Sequence, residues 1–265
     1  MSENNPYVPF RSQIKEIIKH TDIEYTFRMA YSGPAQPGQF FQVSIPHYGE
    51  APISISGITS DAVDLTIRNV GKVTAEVFQH DENSSFLLRG PYGNGFDVDD
   101  YKGKELFVIA GGTGVSPVRG VVDYFAEHAN EVKGLTFIAG FKHPDDILFR
   151  RDFERWKETV NLILTTDNNG GDERYKQGLV TEYIADLAVN DFSTAQLIAV
   201  GPPMMMRFTV KAALEKGFIE KNIWISHERK MCCGLGKCGH CRINDTYVCL
   251  NGPVFNYEQG KLLVD

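Results

Sequence analysis

Four uninterrupted apolar runs do most to limit how this chain can fold: ELFVIAGG (105–112), LTFIAGF (135–141), NLILTTD (161–167) and AQLIAVG (195–201). The segments between them read as helices, most clearly SPVRGVVDYFAEH (116–128). A strand that is apolar at every position is buried on both faces, and such strands alternating with helices build a parallel sheet covered on both sides. This α/β stretch spans 99–228 and ends near NIWISHE (222–228). The region ahead of it, 1–98, has a different rhythm. FFQVSIP (40–46), APISISG (51–57) and VDLTIRNV (63–70) are short, β-branched or aromatic, and separated by Gly, Pro and Asp. Many short strands joined by turns indicate an antiparallel sandwich or barrel, here with one helix at VTAEVFQHD (73–81). A length of 265 residues agrees with two such domains. The remaining 229–265 form a small third piece, too short to hold a core without a metal or cluster as a staple.

That last piece contains all five cysteines, four of them in MCCGLGKCGHC (231–241) and the fifth at Cys249. The start of the chain, MSENNPYVPFRSQ, lacks a basic segment followed by an apolar run, and no stretch approaches the ~18 apolar residues of a membrane span. A cytoplasmic chain is therefore expected, in which clustered thiols are metal ligands or redox groups before they are disulfides. Counted from Cys233, the spacing is C-x4-C-x2-C-x7-C: Cys233, Cys238, Cys241 and Cys249. The first three match the C-x4-C-x2-C arrangement that holds a plant-type 2Fe–2S cluster. Gly234, Gly236 and Gly239 suit a loop wrapped around inorganic sulfide with its amides pointing inward. A zinc site, and with it a zinc-stapled nucleotide-binding sensor, is the alternative of another class, although zinc ribbons pair two distant knuckles and only one is present. His240 reads as a solvent-facing loop residue and Cys232 as the spare thiol. The formal net charge of −7 argues against sequence-independent nucleic-acid binding.

Two glycine turns follow apolar runs of the α/β stretch. AGGTGVSP (110–117) opens a helix with Gly112, Thr113, Gly114 and Pro117, and VGPPMMM (200–206) does so with Gly201, Pro202 and Met205. Glycine lets the backbone turn tightly beside a ligand, and helix amino termini offer free N–H groups to phosphate. Both turns could border one nucleotide, since open α/β sheets bind ligands beyond the carboxyl ends of their strands. Each alone also reads as an ordinary strand-to-helix connection, and three methionines at a helix start read as core.

GGTGVSP and GPPMM resemble the nicotinamide-binding turns of the ferredoxin-NADP reductase superfamily. PISIS (52–56) and IRNVGKVT (67–74) are similar to its two flavin segments, and RGPYGNGF (89–96) to the turn joining its domains. The resemblance covers nearly the whole chain in order. It implies a flavin-binding antiparallel barrel followed by an NAD-binding domain, with FAD as the flavin. Ser54, beside Pro52 and Ile53, would lie near the flavin N5 as the catalytic position. Arg68 would face the pyrophosphate, Asn69 belongs to the same segment, and Gly71, Lys72, Val73 and Thr74 would complete the phosphate cradle. The chain departs from the family at Ala51, usually arginine, at Ile53, usually a flavin-stacking tyrosine, and at Val200, cysteine in many relatives.

Within the superfamily the chain resembles the electron-transfer subunits of class B dihydroorotate dehydrogenases. More closely, it resembles the B subunits of anaerobic sulfite reductases, through GEAPISISG, IRNVGKVT, VGPPMMMRFTVK, GKCGHCR and YVCLNGPVFNY. The resemblance implies hydride from NADH, transfer through FAD and a 2Fe–2S cluster, and delivery to an iron–sulfur subunit and a sirohaem subunit that reduces sulfite. A dihydroorotate dehydrogenase or hydrogenase partner is the alternative. Sulfite reduction to sulfide takes six electrons, or three NADH, at a sirohaem-type centre. Once four cysteines bind one cluster only Cys232 remains, so that chemistry belongs on another chain. NADH is expected over NADPH because no arginine cluster awaits a 2′-phosphate, although Arg174 and Lys176 lie in a suitable loop.

Overall fold

The computed structural model describes residues 5–263. The first four residues of the 1–98 span and the last two of the 229–265 span lie outside the described residues. Six strands, β1 (Phe10–Lys19), β2 (Glu24–Ala30), β3 (Phe40–Ile45), β4 (Gly49–Ile58), β5 (Ala62–Arg68) and β6 (Ser85–Tyr92), close into an antiparallel barrel in the order β1-β2-β5-β4-β3-β6. Side chains alternate across each strand, so Val63, Leu65 and Ile67 of β5 enter the barrel core with Phe27, Phe41 and Phe86. Each such side chain contributes roughly 1.5–3 kcal/mol on burial, and closure gives every strand a partner on both sides over at least part of its length. A short helix, α1 (Lys72–Val77), lies between β5 and β6 in the chain and buries Val77 in the same core.

The second half runs β7 (Glu105–Gly111), α2 (Val115–Glu127), β8 (Gly134–Phe141), α3 (Arg150–Trp156), β9 (Asn161–Thr166), β10 (Lys176–Gln177), β11 (Gln196–Val200), α4 (Pro203–Lys216) and β12 (Ile223–Ser226). After it come the two-residue strands β13 (Arg242–Ile243) and β14 (Thr246–Tyr247), α5 (Val248–Asn251), β15 (Val254–Asn256) and α6 (Tyr257–Gly260). The large sheet has the order β10-β9-β8-β7-β11-β12-β15, with parallel pairing from β10 through β12. Every residue of β7 and β11 is buried, which is why their sequences show no alternation. Helix α2 covers the sheet with Val118, Val121, Val122 and Phe125, spaced three and four apart. The sequence rhythm suggests a helix between each pair of apolar runs. Between β9 and β11, however, the chain forms only β10 and a 3-10 turn, Val180–Tyr183. Gly170 and Gly171, at φ +62° and +83°, take that segment out of helical geometry at its start.

Compactness groups the barrel through Gly95 with His227–Val254, and Phe96–Ser226 with Phe255–Leu262. The cysteine-bearing segment thus packs with the barrel, while β15 and α6 contribute to the α/β unit. Among the described residues no helix is long and apolar enough to cross a membrane.

Candidate cofactor sites

Residues 231–241 form a loop without regular structure, in which Gly234, Gly236 and Gly239 have φ of +74°, +66° and +83°. Only glycine holds that conformation without strain. A Cβ at Gly234 would also stand 2.4 Å from the Tyr92 ring, and one at Gly236 would stand 2.8 Å from Leu250. The turns aim amides at sulfur. Leu235 and Lys237 donate to Cys233 Sγ at 3.4 Å each, Gly236 to Cys249 Sγ at 3.2 Å, and Cys249 to Cys241 Sγ at 3.5 Å. The Cys238 thiol lies beside Cys233 and is held below its ordinary value, first by the His240 amide. The Cys249 thiol lies beside Cys241, and burial, then Cys241, pushes it up to about 12.

Side-chain hydrogen bonding thus links Cys238 to Cys233 and Cys249 to Cys241. Among the described residues no three His, Cys, Asp or Glu side chains converge on a single-ion site. A two-iron cluster takes two thiolates per iron, and the four cysteines at C-x4-C-x2-C-x7-C spacing supply that donor set. Cys232 belongs to neither pair; burial raises its thiol pKa, and its carbonyl accepts from Arg89 at 3.0 Å. His240 is exposed.

In the barrel, β4 pairs with β3 from Gly49 to Ser54 but with β5 only from Ile55 onward. The other edge of Pro52, Ile53 and Ser54 is therefore outside the ladder, and all three are half-buried. Arg68, at the end of β5, is half exposed and ion-paired through Nε to Glu24 at 3.2 Å. Asn69 is held by its amide on the Ile23 carbonyl, 2.8 Å away. Gly71 and Lys72 are exposed where α1 begins, and Val73 is half-buried. The Thr74 hydroxyl is committed to this turn. It accepts from the amides of Val70 (3.0 Å) and Gly71 (2.9 Å) and donates to the Gly71 carbonyl (3.1 Å). Thr74 thus shapes the turn through its side chain. The donors open to an anion are the Arg68 guanidinium, the Lys72 ammonium and the first-turn amides of α1, which no intrahelical carbonyl reaches. An open strand edge beside such donors fits a flavin with its pyrophosphate.

The α/β unit builds its site at the sheet's switch point. Successive strands step from β7 to β8 and β9 on one side and to β11 and β12 on the other. The crevice beyond the carboxyl ends of β7 and β11 is where such sheets take ligands. Both glycine turns lie there and touch. A Cβ at Gly114 would meet the Val200 carbonyl oxygen at 2.6 Å, and one at Gly111 or Gly201 would meet Met205 Sδ at 2.5 or 2.6 Å. Gly112, at φ +55°, and Thr113 are half exposed, Pro202 is exposed, and Pro117 is buried in the first turn of α2. The methionines depart from the core expectation. Met204 is 56% exposed, and Met205 and Met206 are half-buried. Burial along α4 begins only at Thr209, while Met205 lies against Gly111 and Gly201.

Sequence reasoning missed the residues that fasten the cysteine loop. Gln42 donates to the Met231 carbonyl at 3.1 Å, and Arg89, with Glu50, reaches the Cys232 and Cys233 carbonyls. Arg89 stands in the RGPYGNGF stretch, whose charged residue was the one signal available.

Comparison with known proteins agrees with this geometry. Residues 108–211 match the model of the oxidoreductase NAD-binding domain. Residues 228–260 match that of the iron–sulfur cluster binding domain of dihydroorotate dehydrogenase B. The chain is 34% identical to sulfhydrogenase 1 subunit gamma of Pyrococcus furiosus, over 97% of this chain and 94% of that one. It is 30% identical to the "Probable dihydroorotate dehydrogenase B (NAD(+)), electron transfer subunit" of Methanocella arvoryzae, over 94% and 91%. Among solved structures, the NADH-dependent reduced ferredoxin-NADP oxidoreductase superposes with TM-score 0.78 at 24% identity, covering 95% of this chain and 91% of that one. A ferredoxin NADP+ reductase from Neisseria gonorrhoeae superposes with TM-score 0.72 at 15% identity, covering 82% and 97%. These last two likenesses establish the fold. The chain belongs to the family of the sulfhydrogenase gamma subunits and the dihydroorotate dehydrogenase B electron-transfer subunits, joining a barrel of the ferredoxin-reductase fold to an oxidoreductase NAD-binding domain and an iron–sulfur cluster-binding segment.

Proposed function

We propose that this chain oxidises NADH and passes the electrons, through FAD and a 2Fe–2S cluster, to partner subunits that reduce sulfite to sulfide. The observation that carries the redox part is the placing of two thiol pairs on the same compact unit as the open β4 edge. When bound, a flavin exchanges two electrons with a nicotinamide and one with an iron–sulfur centre, which makes it the converter between them. The residues supply the binding and the orientation. Ser54 and the free edge of β4 orient the isoalloxazine, Arg68 and Lys72 neutralise the pyrophosphate, and Cys233, Cys238, Cys241 and Cys249 ligate the irons. The crevice at Gly112–Gly114 and Gly201–Met205 holds the nicotinamide nucleotide.

NADH is preferred over NADPH in this reading because the loop after β9 has its cation already occupied. Arg174 is bonded to Asp172 through both Nε and Nη2, at 2.6–3.0 Å. A cytoplasmic setting, where thiols stay reduced and free to ligate, completes it. Arg68→Ala is expected to weaken flavin retention on the order of 10-fold, since a charge-assisted phosphate contact is worth roughly 1.5–3 kcal/mol and this arginine is half exposed. Flavin released per chain after gel filtration checks it, and unchanged retention would put the phosphates elsewhere.

The sulfite part rests on the resemblance of five stretches to the sulfite reductase B subunits and on the thiol count, which leaves only Cys232 beyond the cluster. A hydrogenase partner is the second reading, favoured by 34% identity to a sulfhydrogenase gamma subunit. The chain purified alone should reduce an artificial acceptor with NADH and leave sulfite untouched. Sulfide should appear only when the iron–sulfur and sirohaem subunits are added. Sulfide made by the isolated chain would overturn the division of labour, and co-purification with a hydrogenase subunit would favour the second reading.

A further inference from the structure

One guanidinium fastens the loop that carries Cys233 to the barrel. Arg89, on β6, is 6% exposed, and all five of its N–H donors are used. Nε and Nη2 donate to the Glu50 carboxylate at 3.0 and 2.6 Å. Nη2 also donates to the Cys232 carbonyl at 3.0 Å, and Nη1 to the Cys233 carbonyl at 3.1 Å and the Tyr92 hydroxyl at 3.3 Å. Tyr92 in turn donates to the Pro6 carbonyl at 2.6 Å and lays its ring against Gly234. Glu50 lies on β4, two residues before Pro52, so a single ion pair connects the first thiol of the cysteine loop to the strand whose edge is open. Lysine could not do this. Its three donors radiate from one nitrogen, whereas the planar fork reaches a carboxylate and two successive carbonyls at once.

Taking Cys233, Cys238, Cys241 and Cys249 as cluster ligands, we infer that Arg89 is a positioning residue that fixes the first ligand and, with Glu50, sets the reduction potential of the cluster. A cluster that gains an electron becomes more negative. A buried positive charge within one residue of its ligand therefore favours the reduced form, and the weak screening of the interior preserves the effect. Glu50 opposes it from the far side of the fork. The charge and the geometry of Arg89 thus act separately, one on potential and the other on retention.

The full-length chain, purified anaerobically as wild type, Arg89→Gln, Arg89→Lys and Glu50→Gln, tests this by iron and sulfide content, iron loss to EDTA, and the cluster midpoint from a spectroelectrochemical titration. Arg89→Gln should lower the midpoint, Glu50→Gln should raise it, and Arg89→Lys should leave it near that of the wild type. Both arginine variants should bind iron about 10-fold or more weakly, as loss of an outer partner typically does. A purely structural role would move the midpoint the same way in Arg89→Gln and Glu50→Gln, or not at all, and either result overturns the inference. If Arg89→Gln does not fold, Glu50→Gln carries the test of sign, and a fall or no change in its midpoint overturns the inference. Wild-type chain without iron and sulfide would overturn the ligand reading itself, whereas a loaded wild type with unmoved variants overturns only the role of Arg89.

Discussion

Cys233→Ser is expected to strip most of the iron and acid-labile sulfide from the purified chain, while Cys232→Ser keeps both. The two thiols are neighbours, yet only Cys233 Sγ accepts two loop amides, from Leu235 and Lys237 at 3.4 Å each. The chain bends through both residues, so Cys232 cannot bring its sulfur to the same place without a shift of one residue. The Cys232 and Cys233 carbonyls are both bonded to the buried Arg89, which opposes that shift. Serine oxygen is a harder ligand than thiolate and a poor substitute at iron. The loss should exceed the roughly 10–100-fold that removing an outer partner costs. Flavin reduction by NADH should survive in both variants, since those residues lie elsewhere in the chain. Iron and sulfide assays beside flavin bleaching decide it. Retention in Cys233→Ser with loss in Cys232→Ser would move the ligand register by one.

Gly114→Ala should cripple nicotinamide binding. Its Cβ would lie 2.6 Å from the Val200 carbonyl oxygen and 2.7 Å from Gly201 Cα, backbone atoms that cannot swing aside as a side-chain end can. The two turns must then separate, and overpacking of this kind costs about 1–3 kcal/mol. Because both turns line the crevice, the expectation is NADH affinity weaker by roughly 10- to 100-fold, each ten-fold being about 1.4 kcal/mol. Gly134→Ala is the control. A Cβ there meets nothing within 4 Å, and the residue lies at the start of β8, the opposite end from the crevice. Fluorescence titration with NADH, with thermal unfolding of each variant, separates lost binding from lost fold. Native affinity in a folded Gly114→Ala chain would mean the nucleotide does not use both turns.

The parallel sheet was legible because its cause is local. The strands β7, β8, β9 and β11 lie where the apolar runs stand, and in β7 and β11 burial on both faces writes itself into consecutive residues. The same holds for the cysteine spacing and the glycines between the ligands, whose positive φ values are demanded within the loop itself. FRSQIKEIIK and EYTFRMA, which became β1 and β2, carry a weaker signal, because a barrel strand shows one face to water and alternates. Residues 167–195 misled in the other direction, for there the rhythm of the sheet implied a helix that the glycine pair at 170–171 prevents.

Sequence by itself determined the kinds of element, their order, the four candidate ligands and the two turns, since each is a property of a few adjacent residues. Tertiary structure alone decided which of those residues have work left to do. The Thr74 hydroxyl is spent on its own turn, and Met204, an apolar residue at a helix start, is exposed. Only the fold brings Arg89 to Cys233, 144 positions later, and places the cysteine loop with the barrel. No periodicity encodes such a pair. Its partners share no local segment, and they meet only once the barrel has closed and set their register.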